Sequence, residues 1–326
     1  MRVRPLEATM LDDTIKTRFE AEGFLVLENV FPAAIIEAVK AEYAVLLADL
    51  VKGWIDAGRL PPQIAGMDFD GQLRASYEAK LDWFQPMDIS LPGGVIGADT
   101  PMHFGPAVLA MMTDPAILDL VEALIGPEIT SNPIQHVRIK PPAAALHADE
   151  TRPHLTITDW HQDQGVTHEE ADETDMITVW IAISDATPEN GCLQVVPGTH
   201  REALKTHCPA GIQLSIPDEV LDKARAVPLP VRSGGVVIFH PKTAHSSLVN
   251  QTDGFRWSFD IRYNRTGQPT GRSHFPSFIA RSSAAPDTEL RDADEWRRMW
   301  EEARAKLAQQ QHIPIHRWDP DAAACA

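Results

Sequence analysis

Residues 159–165 read DWHQDQG. In an extended strand alternate side chains share a face, so His161 and Asp163 would point one way and Gln162 the other. A histidine and a carboxylate delivered to one side are two ligands for one metal ion. On a loop the same residues are ordinary polar surface. A second such triplet, His147-Ala148-Asp149, stands just upstream, in a polar stretch after PPAAA with no strand pattern around it. That copy reads as a loop.

The surroundings of DWHQDQG favour a strand. From residue 134 to about 263 the chain is a series of short β-branched runs broken by turns: IQHVRIK, DWHQD, MITVWIAIS, LQVVPG, VPLPV, GGVVIFH, SSLV and FRWSFDIRY. This texture predicts a mainly β core, a sandwich or barrel of antiparallel strands. Helical patterns flank it. TIKTRFEAEGF is closed by Gly23 and followed by a strand, FLVLENV. The long run from residue 31 to 59 starts at Pro32, and DPAILDLVEALIG has Asp114 as N-cap, Pro115 at the first position and Gly126 at its end. DADEWRRMWEEARAKLAQQQ forms a helical tail. Residues 67–106, rich in glycine, proline and aromatics, lack periodicity and read as a long irregular connection, of the kind that forms lids and pocket walls. Strand and helix zones interleave, so the expectation is one domain over 1–326: a helical part at about 9–130, the β core at about 134–265, a helical tail at about 285–311.

Composition narrows the function classes. The formal net charge is −17, from 46 acidic against 29 basic residues, which argues against nucleic acid and against an anionic membrane surface but allows a local basic pocket for one small anion. A small-molecule substrate is expected, and a homo-oligomer stays open. The start of the chain has no apolar run of the secretory kind, and no stretch has the roughly 18 apolar residues of a membrane span. The expectation is a soluble cytoplasmic protein. Cys192, Cys208 and Cys325 form no CxxC pair, and so sparse and odd a count suggests a reducing compartment rather than a disulfide framework.

A third ligand has to come from elsewhere. His245, between GGVVIFH and SSLV, is the natural candidate, and His240 competes with it; spacing alone does not separate them. Two imidazoles and one carboxylate on one face of an ion leave its other positions open, the arrangement of non-haem Fe(II) oxygenases. Arg256, in GFRWS, follows His245 by eleven residues across the turn NQTDG. A guanidinium there would suit a carboxylate, in bidentate pairing; as a plain edge-strand residue it would simply face water.

Taken in order, DWHQD, TVWIAISDATPENGCLQVVPGTH and SGGVVIFHPKTAHSSLVNQTDGFRWS, with IKPP upstream, resemble the phytanoyl-CoA dioxygenase-like branch of the Fe(II)/2-oxoglutarate-dependent oxygenases. The likeness covers about residues 134–263, more loosely EAEGFLVLENVF. It implies a double-stranded β-helix, the cupin-like jelly roll, and Fe(II), 2-oxoglutarate and O2 as cofactor and co-substrates. It implies His161, Asp163 and His245 as the catalytic iron ligands, favouring His245 over His240, and Arg256 on the distal carboxylate of 2-oxoglutarate. Trp180, Ser258 and His136 fall near the co-substrate; His136 differs in type from the residue family members often place there. Halogenating relatives lack the carboxylate, so Asp163 disfavours halogenation. The implied reaction is hydroxylation of an unactivated C–H bond in a small metabolite or natural-product intermediate, with release of succinate and CO2; the acidic balance argues against an acyl-CoA. A non-redox cupin-type isomerase or hydrolase, and an inactive binding protein, are the alternatives. Trp83, Phe84, Met87, His103 and Phe104, together with residues 262–278, are candidate substrate-pocket walls, although the aromatics could equally cover the end of the barrel. His316, Arg317 and Trp318 would cap the same pocket or pack on a neighbouring subunit.

Overall fold

Caps and apolar stripes set the helical flank. The computed structural model describes residues 6–7, 13–150, 155, 158–210, 213–310, 317–318 and 325. A short β1 (Leu6–Glu7) precedes α1 (Asp13–Glu22), which stops at Gly23. Gly23 has a φ of 82°, and a Cβ there would meet the His200 ring at 2.2 Å, so both conformation and space call for glycine. β2 (Phe24–Glu28) leads to α2 (Ala33–Asp56), whose Ile36, Val39, Tyr43, Leu47 and Val51 form one buried stripe. Then follow α3 (Phe69–Glu78), the single turn α4 (Phe84–Met87), α5 (Pro106–Met112) and α6 (Pro115–Ile125). Asp114 caps α6 by accepting from the Ala116 amide at 2.9 Å, and Gly126 ends it at φ 93°.

Residues 67–106 are therefore not irregular throughout. Asp68 accepts from the Gly71 amide and starts α3. Its buried stripe mixes Gln72 and Ser76 with Leu73 and Tyr77, which dilutes the apolar period that marks a helix in sequence.

The strands are β3 (Ile129–Lys140), β4 (Met176–Ala182), β5 (Leu193–Val195), β6 (Cys208–Ala210), β7 (Gln213–Ser215), β8 (Val227–Leu229), β9 (Val236–Phe239), β10 (His245–Ser247), β11 (Arg256–Arg265) and β12 (Phe278–Arg281). A major sheet of seven strands runs β1-β2-β9-β4-β11-β3-β12, antiparallel except for β1 on β2, and a minor sheet runs β10-β5-β8. This is the expected jelly roll. β6 and β7 form a separate hairpin.

Alternation along β11 sorts the major sheet's two faces. Trp257, Phe259, Ile261 and Tyr263 join the large core beneath the helices, where α7 (Ala293–Leu307) packs Trp296 and Trp300 on Phe104. Arg256, Ser258, Asp260 and Arg262 therefore point the other way, toward the minor sheet. That side has its own smaller core, with Trp180, Val237 and Phe239 against Val195 and Leu229. Between β3 and β11 the register jumps from His136 opposite Asp260 to Asn132 opposite Arg262. Pro133, which cannot donate to a ladder, sits inside this bulge.

Past β12 the edge of β3 is covered by the chain after α4. Asp88 accepts from the Val137 amide, and Gln135 donates to the Ile89 carbonyl. The cysteine expectation is corrected here: Cys208 is bonded to Cys325, and only Cys192 is free among the described residues. Count and spacing carry no record that Cys325 lies against β6. Among the described residues no helix is long and apolar enough to cross a membrane.

Candidate metal centre

His161 and His245 sit side by side across a two-way backbone bridge, the His161 amide donating to the His245 carbonyl at 3.0 Å and the reverse bond at 2.9 Å. The Ser247 amide continues the pairing on the Thr158 carbonyl at 3.0 Å. DWHQD thus adds one ragged strand to the minor sheet's β10 edge. It is not a regular strand through Asp163, because residues Asp163–Val166 turn as a 3-10 helix. Bridge and turn together bring one ligand atom each from His161, Asp163 and His245 to within 4.8 Å of one another.

The backbone prepares both imidazoles. Nδ1 of His161 meets the Asp159 carbonyl at 2.8 Å, and Nδ1 of His245 meets the Thr243 carbonyl at 3.0 Å. A carbonyl only accepts, so each Nδ1 carries the proton and each Nε2 keeps a lone pair for a metal. Burial, reinforced by His161, pushes His245 down to about 3, which keeps it neutral and ligand-ready at neutral pH.

Asp163 is fully buried and reaches across to the major sheet. Arg262 on β11 donates to its Oδ1, and Thr178 on β4 donates to its Oδ2. Burial alone would raise this carboxyl; the Arg262 guanidinium and His161 overcome that and hold it well below the usual carboxylate range. Arg262 is anchored in turn on the Ile134 carbonyl at 2.9 Å, inside the bulge. Gln162 turns away: its amide nitrogen donates to the Lys242 carbonyl at 2.7 Å, and its oxygen accepts from the Lys205 amide at 2.7 Å.

The competing histidines have other occupations. His240 accepts from the Lys242 amide at 3.1 Å and packs on His200. His147 stacks on Tyr77 at 4.6 Å, and Asp149 pairs with Lys80 at 2.7 Å, so the upstream HxD is a structural loop.

Two buried basic side chains lie side by side near the β10 strand that carries His245. Arg256 is 2% exposed, its Nη1 donates to the Ser258 hydroxyl at 2.6 Å, and its guanidinium carbon lies 5.2 Å from the centre of the Trp180 ring. Its Nε is buried with no hydrogen-bond partner among the described residues. Lys140, opposite Arg256 across β3 and β11, donates to the Ser247 hydroxyl and to the Leu248 carbonyl. Neither has a salt bridge among the described residues. Burial, then Arg256, push the Lys140 amine well below its ordinary range, and a carboxylate held between the two basic groups would offset that cost. Lys140, Thr178 and Ser247 are not singled out by the sequence, where only the IKPP run points to Lys140, and Arg262 enters only as the start of the 262–278 stretch expected to wall the pocket.

His136 faces this side too, with Nδ1 at 2.9 Å from Asp88, whose carboxyl burial raises to about 7. The proposed pocket aromatics lie elsewhere. Trp83, Phe84, Met87 and Phe104 belong to the large core on the helix side of the major sheet, and His103 pairs with Glu42 at 2.9 Å. Their packing makes them core and helix-anchoring residues, because the sheet stands between them and the triad. Arg317 and Trp318 dock on the turn after Asp163, at Asp172 and the Gly165 carbonyl respectively; His316 lies outside the described residues.

Comparison with known proteins agrees with this geometry. The family model described as "Phytanoyl-CoA dioxygenase (PhyH)" matches residues 19–258. An L-proline trans-4-hydroxylase of Streptomyces griseoviridis is 26% identical over 201 residues, covering 55% of this chain and 70% of the relative. The peroxisomal phytanoyl-CoA dioxygenase of Homo sapiens is 34% identical over 159 residues, covering 46% of this chain and 44% of the relative, so the match spans under half of that protein. Among solved structures, the non-heme monooxygenase ThoJ has a TM-score of 0.58 at 21% identity, covering 91% of this chain and 98% of its own.

Proposed function

Since the chain belongs to the phytanoyl-CoA dioxygenase family, whose members use Fe(II) and 2-oxoglutarate, we propose that this oxygenase hydroxylates an unactivated C–H bond of a small metabolite or natural-product intermediate, releasing succinate and CO2. The observation that carries the reading is the convergence of the His161, Asp163 and His245 ligand atoms within 4.8 Å, between the two sheets. Bound iron, with 2-oxoglutarate and O2, supplies the oxidising power.

The chain's own residues do the holding. His161, Asp163 and His245 are the iron ligands, each aimed by a neighbour: the Asp159 carbonyl, the Arg262–Thr178 pair and the Thr243 carbonyl. Arg256 and Lys140 neutralise the far carboxylate of 2-oxoglutarate, Ser258 fixes the Arg256 fork, and the Trp180 face lies against that guanidinium. A non-redox cupin enzyme would have no use for two buried basic groups near the strand that carries His245. Steady-state kinetics of succinate release test the assignment. Arg256→Ala should raise the KM for 2-oxoglutarate about 10–100-fold, the loss of one or two charged hydrogen bonds, and leave iron binding near wild type. Equal loss of iron and co-substrate would refute it.

A further inference from the structure

The charges between the sheets do not cancel. Arg262 is taken by Asp163, and Asp260 stands 3.6 Å from Arg138 and 3.9 Å from Arg262. Arg272 has no salt bridge among the described residues, yet it is only 7% exposed. Its Nη2 donates to the Val166 carbonyl at 2.8 Å, and its guanidinium carbon lies 5.9 Å from the Phe275 ring centre. Its Nε is buried without a partner among the described residues, as is Nε2 of the neighbouring His274. Burial, then Arg262, push Arg272 down to about 10, so it remains a cation at neutral pH.

The backbone around Arg272 is built, not loose. The Thr270 carbonyl accepts from the Asn132 side chain at 2.9 Å, and the Gly271 carbonyl accepts from the His168 amide at 3.1 Å. Gly271 has a φ of 73°, and a Cβ there would meet Cβ of Thr167 at 2.7 Å, so the strap lies flush on the turn that begins at Asp163. Arg272 is thereby held on that turn, within electrostatic reach of Arg262, the residue that holds Asp163. A buried guanidinium fixed this way needs an anion, and among the described residues the protein supplies none.

We propose that Arg272 anchors a carboxylate of the substrate, so that the substrate class is a small free carboxylic acid rather than a neutral molecule or a CoA thioester. This rests on the oxygenase reading above and names the substrate of that same site. One guanidinium with one unpaired charge matches a carboxylate; a phosphate at neutral pH carries nearly two charges.

The test uses the full chain with Fe(II) and 2-oxoglutarate and a panel of small carboxylic acids, each beside its primary amide and its CoA thioester. The readouts are substrate-stimulated succinate release and change of the anaerobic visible band. Acids should stimulate at least tenfold better than their matched amides and thioesters. Arg272→Gln should raise the KM of the best acid at least tenfold, Arg272→Lys should recover part of it, and the 2-oxoglutarate concentration that half-saturates the band should stay within threefold of wild type. The inference is overturned by an amide or thioester that matches its acid, by silence of every acid while the band forms, or by loss of 2-oxoglutarate affinity in Arg272→Gln, which would place Arg272 at the co-substrate instead. A wild-type protein that forms no band at all refutes the oxygenase reading itself, and this inference with it.

Discussion

At the scale of single residues, the proposed iron centre would depend on groups outside the His161-Asp163-His245 triad. Asp163 is a usable ligand because Arg262 and Thr178 hold its two oxygens. Arg262→Gln should therefore lower Fe(II) affinity about 10–100-fold, the usual cost of losing an orienting partner; iron titration checks this, and wild-type affinity would contradict it. The two neighbours His161 and Asp163 stand out in the sequence as HxD, while His245 is picked out from His240 only by the family order that ends on Arg256; the structure brings these three candidate ligands together. Arg262, Thr178 and Lys140 do not stand out. Arg262 meets Thr178 across β4, and Arg256 meets Lys140 across β3, only through cross-strand register, which residue spacing does not carry.

At the scale of elements, the 3-10 turn Asp163–Val166 is the tightest part of the site. A Cβ on Gly165 would lie 2.3 Å from Cε1 of His207, whose Nε2 accepts from the Gln162 amide at 2.8 Å. Gly165→Ala must push that ring and disturb the residue between the two proximal ligands. The expected cost is about 1–3 kcal/mol of stability, as for other overpacked sites, together with weaker iron binding; unchanged denaturant unfolding would contradict it. Elements with complete local signals were predictable: α6 has its cap, its proline and its terminal glycine in place. α3 escapes the sequence pattern because its buried face is half polar, and β12 and the β6–β7 hairpin because FIAR, CPA and QLS carry at most one β-branched residue, whereas the equally short β5, β8 and β9 sit in valine-rich runs. The turn at Asp163 was read as strand, since alternation over five residues does not show where a ladder ends.

At the scale of the whole molecule, net charge and local charge point in opposite directions. The chain carries −17 overall, while Arg256, Lys140, Arg262 and Arg272 are all buried. The acidic total thus masks buried basic groups, which composition cannot locate. Buried histidines also set the pH response. Burial pushes His245 down to about 3, and His207 and His240 down to about 4, against an ordinary value near 6.5. Below about pH 6.5 the unfolded chain binds protons at these sites that the native state refuses, so stability is fully present above that pH and falls as pH falls. Each such histidine contributes a slope of up to about 1.4 kcal/mol per pH unit. Asp88, raised by burial to about 7, binds its proton in the native state and opposes the trend, but as one group against three. The melting temperature of the metal-free protein should therefore drop between pH 6.5 and 4.5; a flat or rising profile would contradict the burial of these rings.

The most direct test of the iron-and-2-oxoglutarate assignment is a difference spectrum taken without oxygen. Fe(II) and 2-oxoglutarate added together to the wild-type protein should give a weak visible charge-transfer band that saturates at one iron per chain and is lost in His161→Ala. No band in the wild type, or a band that survives His161→Ala, would contradict the assignment of His161, Asp163 and His245 as the iron site.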